Sequence, residues 1–93
     1  MPITICIVED NADMREGVAQ VLNDAPGLRC INTYVNAEDA VRDLPGQNPD
    51  VALVDIHLPG MNGIECVAKL KADRKSTRLN SSHYALSRMP SSA

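Results

Sequence analysis

Three acidic residues of this 93-residue chain stand where they could do chemistry. Glu9 and Asp10 follow one apolar, β-branched run, and Asp55 follows another. Clustered carboxylates repel one another and raise one another's proton affinity unless a cation neutralises them. Mg²⁺ suits an all-oxygen site of this kind, and a carboxylate beside it can act as nucleophile towards a phosphoryl group. The three residues therefore predict Mg²⁺ binding and phosphoryl transfer if the fold brings them together.

The elements that must position these acids alternate between strand and helix. Apolar runs predict strands near 3–8, 28–35 and 51–54, and helical spacing of apolar residues predicts helices near 12–25, 37–44 and 64–71. Strands that are apolar throughout indicate a parallel sheet covered by helices on both faces. Right-handed crossovers make this a doubly wound α/β sheet, β1-α1-β2-α2-β3-α3. Its functional crevice lies beyond the carboxyl ends of the strands, where the acids stand.

Each acid also has a purely structural interpretation. Glu9 and Asp10 could favour the positive end of the following helix, and Asp55 could be an ordinary loop acid. His57 is a lone histidine in a turn-forming loop, and we expect its side chain to be solvated. Three acids at the ends of two buried strands would nevertheless repel one another at a cost in stability. Their presence therefore favours a functional cluster.

Composition excludes several other functions. Aromatic residues are 2% of the chain and the net charge is −3, so direct binding to DNA or RNA has neither stacking rings nor counterion release to drive it. Three widely separated cysteines fit buried thiols of a cytosolic protein better than a zinc site or a disulfide framework. No apolar run is long enough for a signal peptide or a membrane span, and we expect a soluble, cytoplasmic protein without membrane contact.

The residues described so far resemble the receiver domain of bacterial two-component response regulators. The resemblance covers about residues 3–72 and is carried by IVEDN at 7–11 and LVDIHLPGMNGIE at 53–65. The sequence of these motifs is most similar to regulators of the NarL or LuxR type, whose receiver precedes a helix-turn-helix DNA-binding domain. The resemblance implies a flavodoxin-like fold and a signalling role rather than an enzyme.

The resemblance also implies roles for individual residues. Asp55 is then the phosphoacceptor, which takes a phosphoryl group from a sensor histidine kinase. Glu9 and Asp10 are the acidic pair that binds Mg²⁺, and Asp55 and the backbone carbonyl of His57 complete the metal contacts. Pro59 and Gly63 shape the loop before helix three. DNA would be reached only through an output domain that these residues do not include.

The sequence departs from the family after helix three. The family continues with strand four ending in Thr or Ser, strand five ending in Lys, and two further helices, and the sequence predicts none of these. The chain is therefore expected to be truncated, with strand three left as an edge and the fragment not competent to switch. Two alternatives remain: a degenerate receiver or non-functional fragment acting at most as a binding module, and an aspartyl-nucleophile phosphatase, which typically carries a second acid where His57 stands.

The composition changes abruptly at residue 73. Residues 1–72 contain no serine and have five basic against eleven acidic residues, whereas 73–93 contain six serines and have four basic against one acidic residue. Residues 73–83 and 87–93 resemble the translation of a short-read sequencing adapter, with 84–86 at the position of its sample index. We predict that 1–72 is the N-terminal part of a receiver and that 73–93 is a non-native, disordered tail without secondary structure.

Overall fold

A computed structural model describes residues 2–74 and 83–87 of the chain. Strand and helix alternate in the predicted order up to the third helix. The strands are β1 (Ile3–Val8), β2 (Leu28–Tyr34), β3 (Val51–Asp55) and β4 (His83–Ser87), and the helices are α1 (Ala12–Asp24), α2 (Ala37–Gln47) and α3 (Gly63–Arg74).

The four strands form one parallel sheet in the order β2-β1-β3-β4. The chain moves outward from β1 to β2 through α1 and then crosses back to β3 through α2. Strand order therefore reverses between β1 and β3, which is the switch point where the acids were predicted to meet. The predicted flavodoxin-like doubly wound sheet is confirmed.

β4 corrects the prediction for the tail. We expected no secondary structure in residues 73–93, but α3 continues through Arg74, and His83–Ser87 pair with β3. The prediction was wrong for these residues because an open strand edge presents backbone N–H and C=O groups that almost any sequence can satisfy. β3 is consequently not an edge strand. Ser87 is paired with Asp55 in the register of the two strands.

The remaining tail residues, 75–82 and 88–93, lie outside the described part of the chain. Their predicted disorder is therefore untested, and the adapter-like origin of the tail stays a prediction.

Side-chain caps set the beginnings of the first two helices. Asn11 accepts a hydrogen bond from the Met14 N–H at 2.9 Å at the start of α1. Asn36 accepts one from the Asp39 N–H at 2.7 Å at the start of α2. α2 runs past Pro45, where we expected it to stop, because the N–H of Asn48, which has a φ of 49°, donates to the Leu44 oxygen at 3.1 Å and closes a further turn after the proline.

The core lies between the sheet and the layer formed by α2 and α3. The side chains that fill it are Cys6, Val8, Tyr34, Ala37, Ala40, Leu44, Ala52, Val54, Leu58, Cys66, Val67 and Leu70. Every one is less than a tenth exposed. Burial of these side chains fixes α2 and α3 against the sheet. Among the described residues, no helix is long and apolar enough to cross a membrane.

Candidate metal centre

The fold brings the three predicted acids together. Glu9 and Asp10 directly follow β1, Asp55 is the last residue of β3, and the two strands are paired through Val8 and Val54. One carboxylate oxygen from each acid lies within 4.8 Å of the others. The pairing of β1 with β3 thus turns two distant sequence segments into one cluster of oxygen ligands.

The three carboxylates differ in exposure. Glu9 is 0% exposed and Asp55 is 2% exposed, whereas Asp10 is exposed. Buried charge is costly without a compensating partner, and the cost is concentrated on Glu9 and Asp55. The cluster therefore has a buried floor and one side open to solvent, where an ion or a phosphoryl group can enter.

Burial raises the pKa of Glu9 to about 7. The N–H of Asn11, which donates to Glu9 Oε2 at 2.9 Å, opposes this increase in pKa. Hydrogen bonding to Asp10 and Asp55, and the negative charge of Asp55, reinforce it. A Glu9 carboxyl with this pKa is partly protonated near neutral pH, and a divalent cation would displace that proton.

Two hydrogen bonds orient the cluster, one at Asp55 and one at Glu9. The N–H of His57 donates to Asp55 Oδ1 at 3.1 Å, while the Arg15 guanidinium donates to the backbone oxygen of Glu9 at 2.9 Å. Sequence reasoning missed Arg15. Only its place in the first turns of the helix after the acidic pair hinted that it could reach back to them.

The loop at 56–62 is folded closely against Asp55. The N–H of Gly63 donates to the Ile56 oxygen at 3.1 Å, and a Cβ on Gly63 would collide with the backbone oxygen of Asp55. Only glycine fits there, which supports the loop-shaping role that the resemblance implied for it. Pro59 is exposed on the same loop.

A cleft of about 520 Å³ opens beside the carboxylates. It is lined by Asp10, Ile56, His57, Leu58, Pro59, Asn62 and Ile64. The His57 residue is exposed, as predicted for its side chain. The cleft gives a larger group access to Asp10 and to the loop that orients Asp55.

The donor set fits Mg²⁺. All three side-chain ligands are carboxylates, they are close enough to share one ion, and one open side leaves room for water or a phosphoryl oxygen. A cation there would also offset the repulsion and desolvation that raise the Glu9 pKa. The fold and the site together define a small α/β domain with a cluster of three carboxylates at its switch point.

Comparison with known proteins names this class. The response regulator receiver domain family matches residues 5–81, so the chain belongs to that family. The match extends to residue 81 and so passes residue 72, at which we expected the resemblance to stop.

Two curated relatives illustrate the similarity. The nitrate/nitrite response regulator NarL of Escherichia coli K12 is 33% identical over 78 residues, which is 84% of this chain and 36% of NarL. A protein-glutamate methylesterase/protein-glutamine glutaminase of Nitrosospira multiformis is 38% identical over 63 residues, which is 68% of this chain and 18% of the relative. The chain thus spans about a third and about a fifth of these proteins.

A solved structure agrees in fold. The two-component response regulator of the LuxR family from Aurantimonas sp. SI85-9A1 superposes with a TM-score of 0.81 at 23% identity, covering 92% of this chain and 58% of that one. This neighbour shows that the described residues share the fold of that response regulator.

Proposed function

We propose that this chain is the phosphoacceptor unit of a phosphorelay, with Asp55 as the residue that is phosphorylated. The observation that carries the proposal is the convergence of Glu9, Asp10 and Asp55 within 4.8 Å at the switch point of the sheet. Family membership supports it. The phosphodonor is a phosphohistidine on a sensor histidine kinase.

The chemistry follows from the environment of Asp55. An Asp55 carboxylate oxygen attacks phosphorus, the new O–P bond forms as the N–P bond to the kinase histidine breaks, and the leaving imidazole takes a proton. The His57 N–H holds Oδ1 of Asp55 at 3.1 Å, which fixes the rotation of the carboxylate. Burial excludes bulk water from this nucleophile.

Mg²⁺ is the proposed cofactor, held by Glu9, Asp10, Asp55 and the backbone carbonyl of His57. When bound, it supplies positive charge that offsets the charge developing on the transferred phosphoryl oxygens. Glu9 must release its proton before it can act as a ligand, so metal binding weakens below the Glu9 pKa of about 7.

The wider setting is also a proposal. We infer a cytoplasmic transcriptional regulator that contacts DNA through an output domain, and a chain that is a signalling module rather than an enzyme. Switching by this chain alone is not expected. The resemblance implies a Lys at the end of a fifth strand, whereas the two lysines among the described residues, Lys69 and Lys71, are exposed on α3.

The test is to incubate the 93-residue chain with Mg²⁺ and a small phosphodonor such as phosphoramidate, and to follow intact mass. The chain should gain one phosphoryl group, and Asp55→Asn should gain none. Asp24→Asn, an exposed change at the end of α1, is the matched control and should behave as the parent. Beryllofluoride with Mg²⁺ mimics the aspartyl phosphate and should shift the amide resonances of residues 56–62.

Two results would oppose the proposal. Phosphorylation of the Asp55→Asn variant would place the acceptor elsewhere. Absence of both phosphorylation and beryllofluoride binding in a folded chain would favour the binding-module alternative.

A further inference from the structure

One side chain outside the acidic cluster reaches the loop that orients Asp55. Glu38, in the first turn of α2, accepts a hydrogen bond from the Met61 N–H through Oε2 at 3.3 Å. The two residues are 23 positions apart in the chain. Nothing in the spacing of the sequence motifs pointed to this contact, because it depends on how α2 packs beside the loop.

The helix that carries Glu38 is a firm support. Ala37, Ala40 and Leu44 are each 0% exposed against the sheet and α3. A buried helix face has little freedom to move, so an acceptor at its first turn stays at a fixed height above the sheet. Glu38 itself is exposed, which means that its bond is not needed to build the core.

The middle of the loop depends on such a support. The Gly63 N–H donates a hydrogen bond to the Ile56 oxygen and so fixes the end of the loop, and Leu58 is buried in the core. Between these fixed points, Pro59 and Gly60 are exposed, and Gly60 has a φ of 72°, so that it turns the chain back towards Glu38.

Two more observations place the Glu38 carboxylate over this turn. A Cβ on Gly60 would lie 3.2 Å from Glu38 Oε2. The pKa of Cys66 on α3 is raised to about 11, chiefly by burial and additionally by the negative charge of Glu38. The carboxylate therefore lies between the loop and the N-terminal part of α3, where a helix favours negative charge.

We propose that Glu38 is a positioning residue, which through the Met61 N–H holds the loop at 56–62 in the conformation that presents His57 to Asp55 and to the metal. This inference rests on the proposed function for its consequence, but the contact itself can be tested without metal. Loss of the bond should let the loop sample other conformations. Mg²⁺ binding would then have to order the loop, which lowers the affinity for the metal.

The experiment compares Glu38→Ala, Glu38→Gln and Glu38→Asp in the 93-residue chain. The first readout, taken without metal, is hydrogen exchange of the Met61 amide. The second is the Kd for Mg²⁺, measured from amide shifts of residues 56–62. Glu16→Ala removes one exposed acid from α1 and controls for the change in net charge.

Glu38→Ala should speed exchange of the Met61 amide about fivefold and weaken Mg²⁺ binding about threefold, as loss of one hydrogen bond of ordinary strength predicts. Glu38→Gln retains an acceptor oxygen and should restore both values. Glu38→Asp keeps a negative charge in the first turn of α2 but shortens the side chain. Because the shorter carboxylate does not reach the Met61 N–H, this variant should behave like Glu38→Ala. Glu16→Ala should match the parent.

Parent values for Met61 exchange in both Glu38→Ala and Glu38→Asp would overturn the positioning role. A general loss of protection in Glu38→Ala would indicate unfolding, and Glu38→Asp then decides the question. If the parent chain binds no Mg²⁺, the proposed function fails, while Met61 exchange still tests the contact with Glu38.

Discussion

The two faces of the sheet are packed very differently. Towards α2 and α3 the side chains form a continuous buried cluster, in which Leu44 and Leu70 are both 0% exposed. On the other face, α1 buries none of its residues, and Val21 is 68% exposed. Ile7 of β1 is fully buried, but Leu53 of β3 is only partly covered.

This difference shows that an amphipathic pattern and a buried helix are separate things. The apolar spacing of α1 predicts its helix, and α1 forms where predicted. A single helix is too narrow to cover one whole face of a four-stranded sheet. The flanks of α1 itself also stay exposed. α2 and α3 cover the opposite face as a pair and bury each other's flanks, so the stability of the described fold is concentrated there.

The largest expected effect tests this comparison directly. Leu44→Ala on α2 removes fully buried methyl groups and should lower the free energy of unfolding by about 3 kcal/mol. Val21→Ala on α1 removes exposed ones and should change it by less than about 0.5 kcal/mol. Urea unfolding of both variants measures the difference. Equal effects would mean that α1 is packed as tightly as α2.

A second pair sharpens the comparison with glycine. Gly63→Ala should lower the free energy of unfolding by about 2 kcal/mol, because the added methyl group collides with the Asp55 backbone. Gly17→Ala on α1 meets no atom within 4 Å and should instead stabilise the protein by about 0.5 kcal/mol, because alanine is the better helix former. Thermal unfolding distinguishes the opposite signs. A neutral Gly63→Ala would contradict the close packing of the loop on Asp55.

The third prediction concerns pH and Glu9, the buried acid that follows β1. The Glu9 pKa is about 7 in the fold against 4.5 for an unperturbed glutamate, so the folded state binds more proton between these values. Stability of the metal-free protein should therefore fall as pH rises from about 4.5 to 7, since ionising Glu9 costs more in the folded state than in the unfolded one.

Glu9→Gln should remove this contribution, and Glu16→Gln on exposed α1 should retain it. The check is the difference between each variant and the parent in urea unfolding across that pH range. A Glu9→Gln variant with the parent's pH slope would show that Glu9 titrates normally. Saturating Mg²⁺ should flatten the parent's slope because it favours the ionised carboxylate.

The smallest effect tests the strand that we did not predict. Alternate residues of an edge strand donate their N–H to the neighbouring strand, so only one of Tyr84→Pro and Ala85→Pro removes a bond to β3. That variant should be destabilised by about 1 kcal/mol more than the other, with Tyr84→Ala as the side-chain control. Indistinguishable proline variants would mean that β4 does not pair with β3 in solution.

Much of the site was predictable because its residues follow their strands directly. Glu9, Asp10 and Asp55 were identified from apolar runs that end in acids, and the parallel sheet then required them to share an edge. Arg15 and Glu38 were not identified, since their contacts depend on helix packing that leaves no periodic signal. β4 was not predicted for a related reason. Strand pairing is made by backbone N–H and C=O groups, so it leaves little signal in the side chains.

The sequence by itself determined the six elements from β1 to α3, their order and the family to which the chain belongs, because these depend on local preferences and on motifs along the chain. Tertiary structure decided which face is buried, the raised pKa of Glu9, the contact between Glu38 and Met61, and the addition of β4 to the sheet. Burial, electrostatic coupling and strand pairing join residues far apart in sequence, and only the folded chain sets those distances.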